Sequence, residues 1–207
     1  MNIYYITRPG CPAAHTFLFA DHALMDVRFK VYTKTGDDGG SFSPLAGGRV
    51  PKDHPTMELS GALDEAVSAI GFARSLLPGE LGDVDRELSR IQILLFSAVT
   101  TLETRGKRNL VSEDDVKWLE DVSDARMEDV ELFVVPSGHP AATATHVARA
   151  VTRRLERAAV RVFREELGSD PGLRTALSVL NRSSSALFAL AVHVNRRLGY
   201  REETFRP

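Results

Sequence analysis

His146-Val-Ala-Arg149-Ala-Val-Thr-Arg153-Arg154-Leu-Glu156-Arg157 sets four arginines and a glutamate within nine residues of a helical pattern. At about 100° per residue, Arg149, Arg153 and Glu156 fall within roughly 60° of one another, with Arg157 just beside them. Val151, Leu155, Ala158 and Val162 gather on the opposite side. The segment therefore reads as a helix that buries one stripe and offers a guanidinium row on the other. Taken alone, such a row is either a solvated helix face laced by i,i+4 pairs or a seat for several negative charges.

Composition narrows the setting. With 207 residues, 43% of them hydrophobic, the chain can fill one core and is short for two. Its 26 basic and 28 acidic residues leave a formal charge of −2, so no global field favours nucleic acid or an anionic membrane, and any anion must be bound locally. Cys11 is the only cysteine, which excludes an internal disulfide framework and a cysteine-based zinc site and fits a reducing, cytoplasmic location. The six histidines form no HExxH or other close ligand pair, so no metal-ligand set is assigned. The longest apolar run, residues 186–192, ends at His193 and is too short to span a bilayer. A soluble protein is expected. Residues 1–29, with Pro9, Gly10 and Pro12 and only a short apolar core, make a poor secretory signal and read as a loosely ordered N-terminal extension.

Outward from the arginine helix, the spacing predicts an all-α bundle. Residues 33–55 are rich in Gly, Asp, Ser, Pro and Lys without apolar periodicity, and read as an extended loop. Leu59, Leu63, Val67, Ile70 and Ala73 then recur at helical spacing over residues 57–77, before Pro78-Gly79. Leu88, Ile91, Leu94, Leu95 and Val99 repeat the pattern over 84–103. Ser112 with Asp115 is an acidic capping box for a third helix, through about residue 127. The arginine helix follows a loop over 131–140 and runs to about residue 167; Pro171 is placed to begin a fifth helix. No segment alternates as a strand should, so the chain reads as five helices with an irregular N-terminal loop, occupying 30–198 and followed by a tail over 199–207.

Several polar segments carry candidate chemistry. Tyr32-Thr33-Lys34-Thr35-Gly36-Asp37-Asp38-Gly39-Gly40 has the ingredients of a polyphosphate cradle: glycines that admit backbone N–H groups, hydroxyls, a lysine, and carboxylates able to hold hydrated Mg²⁺. It is not a Walker A loop, and an ordinary Gly/Asp turn has the same local composition. Lys52 adds a cation nearby or is simply exposed. Asp64-Glu65 interrupts the apolar pattern of the first helix, which a surface position or a cation partner such as Arg149 would explain. Asn181-Arg182-Ser183-Ser184-Ser185 is either a solvated face or a nucleotide contact, and Phe133 would ordinarily be a packing residue.

Taken in order, these segments resemble one family, the PduO-type ATP:cob(I)alamin adenosyltransferases, from about Lys30 to Leu198. The resemblance is carried by Tyr32-Thr-Lys-Thr-Gly-Asp37, Arg49-Val-Pro-Lys52-Asp53, Gly61-Ala-Leu-Asp64-Glu65, Ser68-Ala-Ile-Gly71, Ile91-Gln92 with Leu95-Phe96, Phe133-Val-Val-Pro136-Ser-Gly138, the arginine helix, and Leu180-Asn181-Arg182 with Leu187-Phe188. It implies a five-helix bundle assembling as a homotrimer, with ATP and the corrinoid meeting at subunit interfaces. It also implies transfer of the 5′-deoxyadenosyl group of ATP to the cobalt of cob(I)alamin, giving adenosylcobalamin and triphosphate.

The resemblance assigns Lys34, Thr35, Gly36, Asp37, Phe42, Ser43 and Lys52 to ATP and its Mg²⁺, together with Arg153, Arg154, Glu156, Arg157 and Asn181. Asp64 and Arg149 look like the family's ion pair across the subunit boundary and count with Arg153 as catalytic. Phe133 looks like the residue that closes the lower face of the corrin, and a cobalamin-dependent acceptor enzyme is a candidate partner. The family's usual asparagine and aspartate are replaced by Val67 and Ser185, Thr56 and Ser60 replace bulkier or charged residues, and residues 124–130 lack a double proline. These departures make a non-catalytic ATP- and cobalamin-binding escort or regulatory bundle the alternative to an enzyme.

Overall fold

The start of each helix is decided by who satisfies its free N–H groups. The computed structural model describes residues 32, 34–127, 134–167 and 170–205; the extension over 1–29 and Phe133 lie outside them. Helix α1 (Pro55–Ser75) opens with proline after His54, whose ring nitrogen accepts from the Thr56 N–H. Helix α4 (Pro140–Phe163) repeats the device with His139 and Ala141. Helix α5 (Pro171–Arg197) uses Asp170, which accepts from the Leu173 N–H at 3.1 Å. Proline costs nothing at a first helical position, where its missing N–H would have had no partner. The remaining helices are α2 (Gly82–Glu103), entered through a 3-10 turn, and α3 (Glu113–Arg126), which carries the expected Ser112/Asp115 capping box.

The expected all-α bundle is thus present. Side-chain partners fix the helix directions. Asn181 with Glu156, and Phe188 with His146, set α5 antiparallel to α4. Arg154 with Glu65 sets α1 beside α4. Arg182 with Glu120, and His193 with Arg126, run α3 parallel to α5. Helix α5 packs on α2, α3 and α4. One stretch of it is apolar enough to pass for a membrane span, but 61% of that stretch is buried inside the bundle, as befits a core helix.

Residues 33–55 depart from the reading as a plain loop. Strands β1 (Gly40–Ser43) and β2 (Gly48–Pro51) form an antiparallel hairpin, with Ser41 opposite Val50 and Phe42 opposite Arg49. The strands are too short and polar to alternate visibly. What holds them is the connection, where Gly47 (φ +70°) returns its N–H to the Pro44 carbonyl and Leu45 tucks into the core. Ser43 then ties the hairpin to α1. Its hydroxyl donates to Thr56 Oγ1 (2.9 Å), which lies 2.9 Å from the His54 ring nitrogen that caps the helix. The departures at Thr56 and Ser60 therefore serve local structure, Ser60 donating to the Thr56 carbonyl.

The last described residues also return to the bundle, where β4 (Glu203–Thr204) pairs with β3 (Val134–Val135). Between them sits Asn195, fully buried. Its carbonyl oxygen accepts from the His139 N–H (2.9 Å), and its amide donates to the Ser137 carbonyl (2.9 Å) and to Glu202 (3.1 Å). At Gly138 (φ +98°) any Cβ would overlap that side chain, so only glycine fits. Asn195→Ala would leave the half-buried His139 N–H and Ser137 carbonyl without these partners, and chemical denaturation should record a loss of about 1 kcal/mol or more.

Candidate functional site

Two grooves open on the outer side of α4, and Arg153 lines both. The first, about 410 Å³, runs between α4 and α5 and is lined by Arg153, Glu156, Arg157, Val160, Arg161, Arg164 and Asn181. Several other arginines are paired with acids: Arg49 has Asp38, Arg74 has Asp85, Arg154 has Glu65, and Arg182 has Glu120. Among the described residues, no carboxylate lies within ion-pair distance of Arg153, Arg157, Arg161 or Arg164. The one acid in the groove, Glu156, is engaged by the Asn181 amide at 2.7 Å. Four uncompensated guanidinium groups around a concave surface call for a polyanion, and their planar forks suit phosphate oxygens.

The second groove, about 290 Å³, is bounded by α3, α4 and α5. Arg149, Arg153 and Phe188 line it along with Ser123, Asp124, Met127, Ser184, Ser185 and Ala189, so the departure at Ser185 falls in it. The Arg149 guanidinium lies 6.0 Å from the Phe188 ring, and its Nε is buried without a hydrogen-bond partner. Burial and the neighbouring Arg153 cation both lower its pKa. Behind it, His146 is 2% exposed, edge-on to Phe188, with neither ring nitrogen hydrogen-bonded. Burial, with Arg149 adding to it, pushes this imidazole down to about 4, so it is neutral near pH 7.

The N-terminal residues converge separately at the start of α1. Lys34 adopts a left-handed conformation (φ +59°), and the Gly39 N–H returns to the Gly36 carbonyl. Lys52 reaches back over this turn: a Cβ on Gly36 would lie 3.2 Å from its Nζ, and the Lys52 N–H donates to the Gly39 carbonyl. Gly36 and Lys52 are therefore neighbours. Asp37 and Phe42 are exposed beside it, whereas Asp38 is held by Arg49 and the Gly40 N–H. The backbone hydrogen bond from Gly40 leads the causes that lower the Asp38 pKa, with Arg49 adding to it. The Ser43 hydroxyl is spent on Thr56 and the Ala46 N–H.

The proposed residues thus fall into three groups. Arg153, Glu156, Arg157 and Asn181 share the larger groove, Arg149 joins Arg153 in the smaller, and the Lys34–Asp37 turn meets Lys52 at the hairpin. Arg154 stands apart, about 100° round the helix from Arg153, and pairs with Glu65 on α1. Asp64 lies on the exposed side of α1, Phe133 is outside the described residues, and Val67 uses its carbonyl to accept from Gln92. Arg161 and Arg164 belong to the larger groove and were missed from the sequence, although they continue the row at helical spacing. Among the described residues, one chain lines both grooves with α3 and its capping Met127, α4 and α5, and without the hairpin turn.

Comparison with known proteins places the chain in a family. A family profile described as cobalamin adenosyltransferase matches residues 31–194. The chain belongs to that family. Its relatives include the corrinoid adenosyltransferase of Bacillus subtilis, 38% identical over 177 residues and covering 82% of this chain and 89% of the relative. The human corrinoid adenosyltransferase MMAB is 33% identical over 187 residues, covering 85% of this chain and 73% of its own length. Among solved structures, a variant PduO-type ATP:corrinoid adenosyltransferase from Lactobacillus reuteri, complexed with cobalamin and ATP, superposes with a TM-score of 0.75 at 31% identity. That match covers 86% of this chain and 97% of the other.

The buried imidazole makes a pH test available. The unfolded chain takes up the His146 proton near the ordinary value of 6.5 and the folded chain only near 4, so acid favours unfolding between those values. The contribution is complete above 6.5 and falls away toward 4, by about 3 kcal/mol in all. Denaturation at pH 7 and pH 4 should therefore show a smaller acid-induced loss of stability in His146→Leu than in the parent protein.

Proposed function

We propose that this chain transfers the 5′-deoxyadenosyl group of ATP to the cobalt of cob(I)alamin, with the triphosphate in the larger groove and the corrinoid against the smaller. The observation that carries this reading is the position of Arg153, shared by a counter-ion-free arginine row and a groove walled by Phe188 and Met127. The cobalt electron pair forms the Co–C5′ bond while the C5′–O bond breaks, its electrons leaving with triphosphate; cobalt passes formally from +1 to +3. Nothing in that balance requires a general base. The protein's task is to align C5′ with cobalt and to hold the charge gathering on the leaving group.

Lys34, the Gly36 turn and Lys52 supply the second wall of the nucleotide site, delivered by a neighbouring copy in a homotrimer. Two observations favour assembly. Neither groove is completed by its own hairpin, and α1 and α4 leave apolar side chains in the open. The antiparallel register that pairs Glu65 with Arg154 sets Phe72 (61% exposed) level with Val147 (55% exposed) on one outer face. The buried, partnerless Nε–H of Arg149 marks it as the donor in the Asp64 pairing across that boundary. Mg²⁺ fits with Asp37, because this ion binds through one or two carboxylates plus substrate phosphates, and no cluster of three ligands is found among the described residues. When bound it would neutralise triphosphate charge. Phe133 closes the corrin's lower face, and a reducing cytoplasm suits both the lone Cys11 and Co(I).

Purified protein given MgATP and chemically reduced cobalamin should form a light-sensitive alkylcobalamin spectrum; no such product would overturn the reading. Arg153→Ala should lower turnover at saturating corrinoid roughly 100-fold, with Arg153→Lys keeping the charge but recovering only part of the rate. Sedimentation should give a trimer mass for the parent protein, and Phe72→Glu should dissociate it together with activity.

A further inference from the structure

Arg161 and Arg164 lie one to two turns beyond the arginines assigned to the nucleotide, and neither has a carboxylate partner among the described residues. With Arg153 and Arg157 they span roughly 80° of the helix wheel, one continuous face. Side chains on a helix lean toward its N-terminus, so both project back over the turn that carries Arg157. They also crowd the C-terminal end of α4, where Arg164 is the capping residue. Carbonyl groups at that end repel phosphate, and two guanidinium groups placed there reverse the local sign.

The two grooves give the row a direction. Arg153 is their common wall, so a nucleotide whose C5′ faces the smaller groove has its first phosphate near Arg153 and its remaining phosphates toward Arg157 and beyond. We infer that Arg161 and Arg164 seat the terminal phosphate of ATP and make the site select triphosphate over diphosphate nucleotides. This rests on the orientation proposed above. The ordinary role of basic residues in a last helical turn is to stabilise the helix dipole, and lysine would fill that role as well as arginine. Seating a phosphate through paired N–H donors requires the guanidinium fork.

The test compares the parent protein with Arg161→Ala/Arg164→Ala and Arg161→Lys/Arg164→Lys double variants. Both positions are exposed, so folding is preserved. Calorimetry should show affinity for tripolyphosphate and for MgATP falling about tenfold or more in the alanine variant and partly in the lysine variant, with MgADP affinity nearly unchanged. Thermal stability of the lysine variant should match the parent. Unchanged tripolyphosphate affinity would overturn the inference, as would equal losses for ATP and ADP, or a loss of assembly that accounts for the weaker binding. Because tripolyphosphate binding is read without turnover, a parent protein that binds it through these arginines but alkylates no cobalt would refute the proposed function and leave the phosphate seat standing.

Discussion

Everything in this molecule depends on α4 lying close against both α1 and α5 while keeping one face open. Its buried positions are mostly small: Ala141, Ala142, Ala144, Ala148, Ala158 and Ala159, with Leu155 and Phe163 as the larger plugs. Small side chains let neighbouring backbones approach, which sets the distance from the helix axis to the partners of Glu156 and His146. Thr145 and Thr152 sit in the same stripe without leaving a bare hydroxyl, since each donates to the carbonyl four residues earlier, at 2.7 and 2.9 Å. A helix built this way is held by its alanines and can spend its outer face on charge.

That division explains why similar arginines behave differently. Arg74, Arg126 and Arg182 bridge helices through Asp85, Glu87 and Glu120, and their charge is largely spent on the fold. Arg154 joins them by facing α1. Among the described residues no carboxylate pairs with Arg153, Arg157, Arg161 or Arg164, so their charge remains available to a ligand. Arg149 lies between the two regimes, with its stem inside the bundle and its charge at the rim of the smaller groove.

Much of this could be read from residue spacing. Five helices, the capping box at Ser112, the proline start of α5 and the polar face of α4 follow from periodicity and capping chemistry, which are local. The hairpin was hidden because its strands are four residues each, Gly-Ser-Phe-Ser and Gly-Arg-Val-Pro, stabilised by a distant contact of Leu45 and by Ser43 reaching Thr56. Ser43 and Arg154 share motifs with residues that the resemblance assigns to ATP, yet their side chains are taken up by Thr56 and Glu65. Motif membership does not specify which way a side chain turns. Asn195 left no signal, because one asparagine near a helix end is unremarkable until the segments it bridges are brought together. Arg161 and Arg164 were legible by spacing alone, as a continuation of the row.

The attachment of the chain's far end to β3 has a practical side. Glu202 and Glu203 reach the Asn195 amide and the Ser137 hydroxyl, and β4 pairs with the two valines that directly follow Phe133. A peptide fused directly after β4 would consequently pull on the strand that follows Phe133, and protein purified by such a handle would look impaired for reasons unrelated to its chemistry.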